Sequence, residues 1–254
     1  MPPNATDTDF NADPEININN SKHINHGQQI TKENTNNYAL NIFQSSMNLL
    51  AHILIGAVVG VSIIYSFRGE LSAFYLHIVL CVIGYQLLMA EAIIGLCPNS
   101  GWADSLTFVD KRRAHTVMQV VGSALAIAGS IIMALTKSVN WDTLHGQFEY
   151  IFTGLVAMVF TAVSLVNGLT SLYAYEFRKC LSGNLSKITH ICFGIVAFVT
   201  SGISLCYGFD KGGFRNWATP PLAYTMMGFT ACFTFIIIIN PTITFFNKSI
   251  RVFK

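Results

Sequence analysis

Six long apolar runs decide what this chain can fold into. A helix that crosses a bilayer needs about 20 predominantly apolar residues. Runs of that kind occupy 47–67, 72–96, 115–136, 145–168, 188–208 and 219–246. Inside them the only formally charged residues are Glu91 and Glu149. Composition agrees: 52% of the residues are apolar and 11% charged, where a soluble domain carries roughly a quarter charged residues. The expectation is an all-α membrane protein, a bundle of six transmembrane helices with lipid as its solvent. Asn240-Pro241 is expected to kink the last helix near its end.

Residues 1–45 differ in kind. They hold ten Asn and no apolar periodicity, so they read as a disordered polar tail, and 46–254 as the membrane domain. No apolar core follows a basic start near Met1, so no signal peptide is expected. His23 and His26 fall in the tail and read as solvated side chains.

Lys and Arg set the orientation. With the N-terminus inside, the inner segments hold eleven: Lys22, Lys32, Lys111, Arg112, Arg113, Arg178, Lys179, Lys187, Lys248, Arg251 and Lys254. The outer loops hold four: Arg68, Lys137, Lys211 and Arg215. The bias places both termini in the cytoplasm. The loops are too short for a soluble domain between helices. A net charge of +2 gives no reason to expect nucleic acid. Six Cys occur without a CxxC pair, so they read as small packing residues, not as a zinc site or disulfide scaffold. No GxGxxG motif follows a strand, so no dinucleotide-binding domain is expected.

Histidine inside a span is costly and marks function. His77, His115, His145 and His190 each lie near the start of helices two, three, four and five. Successive helices run antiparallel, so His77 and His145 share the outer layer, and His115 and His190 the cytoplasmic layer. Two layers, each with two imidazoles on different helices, are what two bis-histidine haems require. Across a core of about 30 Å the two irons would lie roughly 20 Å apart. Small residues on the histidine faces (Cys81, Gly84, Gly122, Gly194, Ala197) suit a slot for a flat macrocycle, although they equally suit close helix packing, as expected of the Gly56–Gly60 GxxxG pair in helix one. Glu91, toward the cytoplasmic end of helix two, lies at the depth of His52 at the start of helix one, so a Glu91–His52 pair is expected beside the inner layer. Glu149 lies four residues after His145.

In this order and spacing the segments AHILIG (51–56), FYLHIV (74–79), LLMAEAIIG (87–95), KRRAHTVMQ (111–119), LHGQF (144–148) and SKITHICFG (186–194) resemble the cytochrome b561 family, in its small domain-containing form. The resemblance implies six helices and two haem b groups per chain, with His77 and His145 on the non-cytoplasmic iron and His115 and His190 on the cytoplasmic iron. It further implies an oxidoreductase that passes electrons from cytoplasmic ascorbate to ferric iron or monodehydroascorbate on the other face. A homodimer is the expectation from resemblance; helices one and six offer the lipid-facing surfaces for it. The host membrane, plasma membrane or endomembrane, is left open.

Lys111, Arg112, Arg113 and Lys187 precede the inner histidines and are candidates to bind anionic ascorbate; haem propionates and lipid headgroups are competing partners. On the outer side Arg68, Glu70, Asp142, Asp210 and Lys211 are candidates for an acceptor site. No catalytic residue is assigned. The alternative function is a haem-free metal or proton transporter that uses the same histidines as stations.

Overall fold

The computed structural model describes the backbone of residues 14–70, 72–136, 148–172 and 183–253, and the side chains of 38–70, 72–136, 151–172 and 185–252. His145, Asp142, Arg178 and Lys179 lie outside the described residues, as does the side chain of Glu149. Among the described residues seven helices follow in order: α1 (Pro14–Ser66), α2 (Ala73–Ile94), α3 (Phe108–Thr136), α4 (Phe148–Leu172), α5 (Gly183–Asp210), α6 (Gly212–Ala218) and α7 (Pro220–Phe253). Six carry segments long and apolar enough to cross a membrane: Tyr38–Ser66, Ala73–Ile94, Phe108–Thr136, Ile151–Leu172, Leu185–Asp210 and Pro220–Val252. These are the six runs of the sequence, and no strand occurs among the described residues. The chain divides into two compact units, Met1–Gln44 and Ser45–Lys254. The polar stretch expected over 1–45 includes the first part of α1. Everything below concerns the second unit.

Local chemistry explains why the helices start where they do. Ser72 caps α2, its side chain accepting from the Tyr75 N–H at 3.4 Å. Thr107 caps α3: its hydroxyl accepts from the Asp110 N–H at 3.3 Å and donates to the Asp110 carboxylate at 2.7 Å. This reciprocal cap lets α3 begin at Phe108, about two turns ahead of its apolar run at 3.6 residues per turn. The α2–α3 connection turns through Asn99 and Gly101, whose φ values are +54° and +76°. Glycine adopts such a backbone without a Cβ penalty. Asp104 holds the turn by accepting from the Ser100 and Gly101 N–H groups, both at 2.9 Å. From α1, Asn48 donates to the carbonyls of Pro98 and Asn99 at 3.0 and 2.8 Å.

The main apolar core joins Ile55 and Val58 of α1, Ile94 of α2, Phe198 of α5 and Phe233 of α7. A second, smaller cluster joins α2, α3 and α4 through Tyr85, Met89, Ala126 and Ala157. Residues Val82–Met89 of α2 are wound as a π-helix. Such a segment shifts the register of the side chains beyond it and is common near functional sites.

Here α2 meets α3 at backbone distance. A Cβ added to Gly84 would stand 2.6 Å from the Gly122 carbonyl oxygen, and one added to Gly122 would stand 2.9 Å from that of Gly84. The expectation that Gly84 and Gly122 open a slot for a macrocycle is therefore corrected: both are consumed by helix–helix contact. In membrane helices this contact replaces the hydrophobic drive that lipid cannot supply. The GxxxG pair is corrected the other way. A Cβ on Gly56 or Gly60 would meet nothing within 4 Å, so neither supports a close contact within the described chain.

Candidate haem site

Three of the four candidate histidines are described, and all three are held in one manner. His77 Nδ1 lies 2.8 Å from the carbonyl oxygen of Gly129 on α3. His115 Nδ1 lies 2.9 Å from that of Ala92 on α2. His190 Nδ1 lies 2.9 Å from that of Ser164 on α4. A carbonyl only accepts, so each Nδ1 carries the proton and donates. The neutral ring then has its lone pair on Nε2. Fixing one ring nitrogen on a carbonyl to present the other to iron is how proteins orient imidazole ligands.

The helices supply these carbonyls by different routes. At the end of α2 the chain tightens: the Leu96 N–H, which would serve Ala92 in an α-helix, bonds Ile93 instead at 3.2 Å. Ala92 is thus left with a carbonyl in need of a donor, and His115 provides it. On α4, Gly168 sits under the His190 ring; a Cβ there would stand 3.0 Å from Cε1 and 3.1 Å from Nδ1. The Ser164 hydroxyl lies 3.2 Å from the same Nδ1. Cys81 Sγ lies 3.5 Å from His77 Nδ1.

His115 and His190 face each other with ring centroids 6.3 Å apart and planes at 87°. Metal–imidazole bonds of about 2 Å place two rings on opposite sides of one metal with centroids roughly 6 Å apart. The separation therefore fits one iron between them. His77 belongs to another layer. It bonds Gly129, fourteen residues beyond His115 on the same helix, a rise of roughly 21 Å at 1.5 Å per residue. Among the described residues no group of three or more His, Cys, Asp or Glu is placed to hold a bare metal ion.

His52 is different. Its Nδ1 lies 2.7 Å from Glu91 Oε1 and its Nε2 lies 3.2 Å from the Ser100 carbonyl. With both ring nitrogens engaged, it has no lone pair to offer iron. Glu91 Oε2 accepts from the Trp102 indole N–H at 3.1 Å.

The four basic candidates separate into two pairs. Lys111 lies 3.8 Å from Asp104, and Arg113 lies 3.3 Å from Asp110. Asp104 itself is pulled two ways: burial opposes its charge, but the Gly101 and Ser100 N–H groups prevail and hold its carboxyl below the usual range. Arg112 stands within electrostatic reach of His115, and Lys248 of α7 stands within reach of His190, Arg112 and Lys187. Lys248 thus joins Arg112 and Lys187 around the inner histidines, from a helix that sequence spacing did not connect to them.

At the end of α1 away from His52, Arg68 stacks over the Tyr65 ring at 4.4 Å and donates to the Tyr75 hydroxyl at 3.2 and 3.0 Å. That hydrogen bond holds its guanidinium above the usual range. Asp210 pairs with Arg215 at 3.2 Å. The expected acceptor residues Arg68 and Asp210 are therefore engaged with neighbours, and Glu70 is exposed.

Six helices long and apolar enough to cross a membrane, with three imidazoles anchored between them through Nδ1, define a multi-pass membrane protein. The family model for eukaryotic cytochrome b561 matches residues 76–215. The chain belongs to that family, whose members bind haem b and move electrons across membranes. It is similar to transmembrane reductase CYB561D2 of Bos taurus, 28% identical over 145 residues, 56% of this chain and 63% of that protein. It is also similar to the Mus musculus protein of that name, 25% identical over 190 residues, 73% of this chain and 80% of the relative. The Homo sapiens protein is 25% identical over 179 residues, 68% of this chain and 77% of the relative. The chain thus spans a little under two thirds of the bovine relative, 63%, and more of the other two. No solved structure matches it.

Proposed function

We propose that this protein is a transmembrane oxidoreductase that carries electrons from cytoplasmic ascorbate to an acceptor at the opposite face, ferric iron or monodehydroascorbate. In this reading two haem b groups are held per chain, one by His115 and His190 and one by His77 and His145. Haem, where bound, would supply one-electron chemistry, and imidazoles from two helices would hold it. The observation that carries the reading is the Nδ1 anchoring of His77, His115 and His190.

The chain's own residues do three things. Ala92, Gly129 and Ser164 fix the tautomer and direction of the ligand rings. The cations Arg112, Lys187 and Lys248 make the inner end electropositive, which favours an anionic reductant or the propionates. The apolar clusters exclude water from the span between the layers. Both termini lie in the cytoplasm in this reading, and the protein is a homodimer.

An optical spectrum of the purified protein, before and after ascorbate, tests the proposal. Sharp reduced b-type bands at about two haems per chain are expected. Folded, haem-supplied protein that binds none overturns it.

A further inference from the structure

Both ring nitrogens of His52 face acceptors. Nδ1 meets Glu91 Oε1 at 2.7 Å and Nε2 meets the Ser100 carbonyl at 3.2 Å. A carbonyl never donates, so Nε2 must carry a proton. A second proton must lie between Nδ1 and Oε1, since two lone pairs do not approach to 2.7 Å unbridged. The other carboxylate oxygen is already an acceptor, for the Trp102 indole at 3.1 Å. The pair therefore holds one proton more than a neutral histidine beside a carboxylate, whether written as imidazolium–carboxylate or as imidazole–carboxylic acid. Removal of that proton sets two lone pairs face to face and leaves a net negative charge.

The location of this proton gives it meaning. Glu91 immediately precedes Ala92, whose carbonyl holds His115 at 2.9 Å. The pair is only partly buried, with His52 and Glu91 side chains 24% and 16% exposed, and His52 reaches the polar α2–α3 turn through Ser100. The other charged groups at this end are mutually engaged or point elsewhere. Asp104, in the loop that carries Ser100, pairs with Lys111 of α3 at 3.8 Å. Arg112 lies within electrostatic reach of His115 in the inner histidine pair, and α7 brings the uncharged Asn240 to Cys97 just past the end of α2.

We propose that the His52–Glu91 pair is a proton-binding site coupled to the cytoplasmic haem, taking one proton from cytoplasmic water as the iron gains one electron. With haem bound, the balance would be one electron from the reductant (ascorbate in the reading above) to the iron and one proton from hydronium to the imidazole–carboxylate pair, with no other bond changed in the protein. Reduction removes one positive charge beside His115, which raises the affinity of the pair for a proton. Reoxidation returns it. This inference rests on the proposed haem function and adds a proton to its electron.

The test is a spectroelectrochemical titration of haem-loaded full-length protein over about pH 5 to 9, the range in which a histidine site titrates. For wild type, one midpoint potential is expected to fall as pH rises, approaching a tenfold shift in the reduction equilibrium per pH unit, about 59 mV for one electron. Glu91→Gln is expected to flatten that slope, and His52→Gln to do the same where Glu91→Gln fails to fold. Asp110→Asn, on a half-exposed carboxylate that bonds Thr107 and Arg113 and neither Ser100 nor the pair, is expected to retain it. A pH-indicator dye should report proton uptake on reduction of the wild type. A pH-independent wild-type potential, or a slope that survives both substitutions, overturns this inference and leaves the haem function standing. Protein without haem overturns both.

Discussion

The carbonyl oxygen of Ala92 accepts a hydrogen bond from His115 Nδ1 at 2.9 Å, tying the last turn of α2 to the first turns of α3. One contact does two tasks. It satisfies a helix-end carbonyl that the tightened turn leaves without its usual donor, and it sets the tautomer of a candidate haem ligand. Gly129 with His77 repeats the arrangement on the same helix pair in the opposite sense, and Ser164 with His190 repeats it between α4 and α5. In each case backbone geometry, which no side-chain change alters directly, aims the imidazole.

The pairing of layers predicts separable losses of haem. His190→Ala is expected to remove one haem of two, because it empties only the inner pair. His77→Ala is expected to remove the other. Haem-to-protein ratio, read from the reduced spectrum against protein mass, checks this. A single substitution that abolishes both bands in folded protein would mean the layers are not independent.

Gly168→Ala is expected to disturb the inner site without touching a ligand. The new methyl would stand 3.0 Å from His190 Cε1, tighter than nine in ten real contacts, so the ring must shift by a few tenths of an ångström against its Ser164 hydrogen bond. Loss or a shifted potential of one haem is expected. Outer-shell changes of this kind typically cost 10- to 100-fold in affinity. Gly56→Ala is the control: its methyl meets nothing within 4 Å, and no change in haem content is expected.

Much of this arrangement is legible in the chain, and the limits have physical causes. Six spans show because lipid demands long apolar runs. The meeting of His115 and His190 is legible because antiparallel helices bring the starts of alternate runs to one face; His145, the partner expected for His77, lies outside the described residues. His52 and Glu91 lie on different helices at matching depth, and depth is countable. The anchoring carbonyls of Ala92, Gly129 and Ser164 are not legible, since a backbone acceptor leaves no mark on residue type. Nor is the π-helical stretch Val82–Met89, whose residues VIGYQLLM suit an α-helix equally well. Gly84 and Gly122 were ambiguous for a related reason: a small residue opens space, and sequence does not say whether a ring or a neighbouring backbone fills it. Lys248 lies far along the last helix, where only tertiary packing brings it to Arg112 and Lys187.

The α2–α3 contact makes Gly84 a stability position. Gly84→Ala would place a methyl 2.6 Å from the Gly122 carbonyl oxygen and 2.9 Å from the Ala126 amide nitrogen, both backbone atoms that cannot swing aside. The helices must separate, and overpacking of this kind costs about 1–3 kcal/mol. Thermal unfolding in detergent should show the loss, and both haem layers should weaken, because α2 and α3 carry His77 and His115. Unchanged stability would mean that the helices are not held at this distance in the membrane.

Acid should loosen the α2–α3 turn before the spans unfold. Asp104 has its carboxyl held below the usual range: burial opposes its charge, and the N–H groups of Gly101 and Ser100 overcome that. A depressed folded-state value means the carboxylate stabilises the turn above the ordinary carboxylate range, and that contribution is lost as pH falls through the lower value. Half the side chain, 47%, is exposed, so water screens the effect to under about 1 kcal/mol. Amide exchange at Ser100 and Gly101 should therefore quicken as pH drops below about 4, after correction for the intrinsic pH dependence of exchange. Asp104→Asn should show the quicker exchange already at neutral pH and lose its acid dependence. Equal protection in wild type and Asp104→Asn at neutral pH would show that Asn48, through its bonds to the Pro98 and Asn99 carbonyls, holds the turn without the carboxylate.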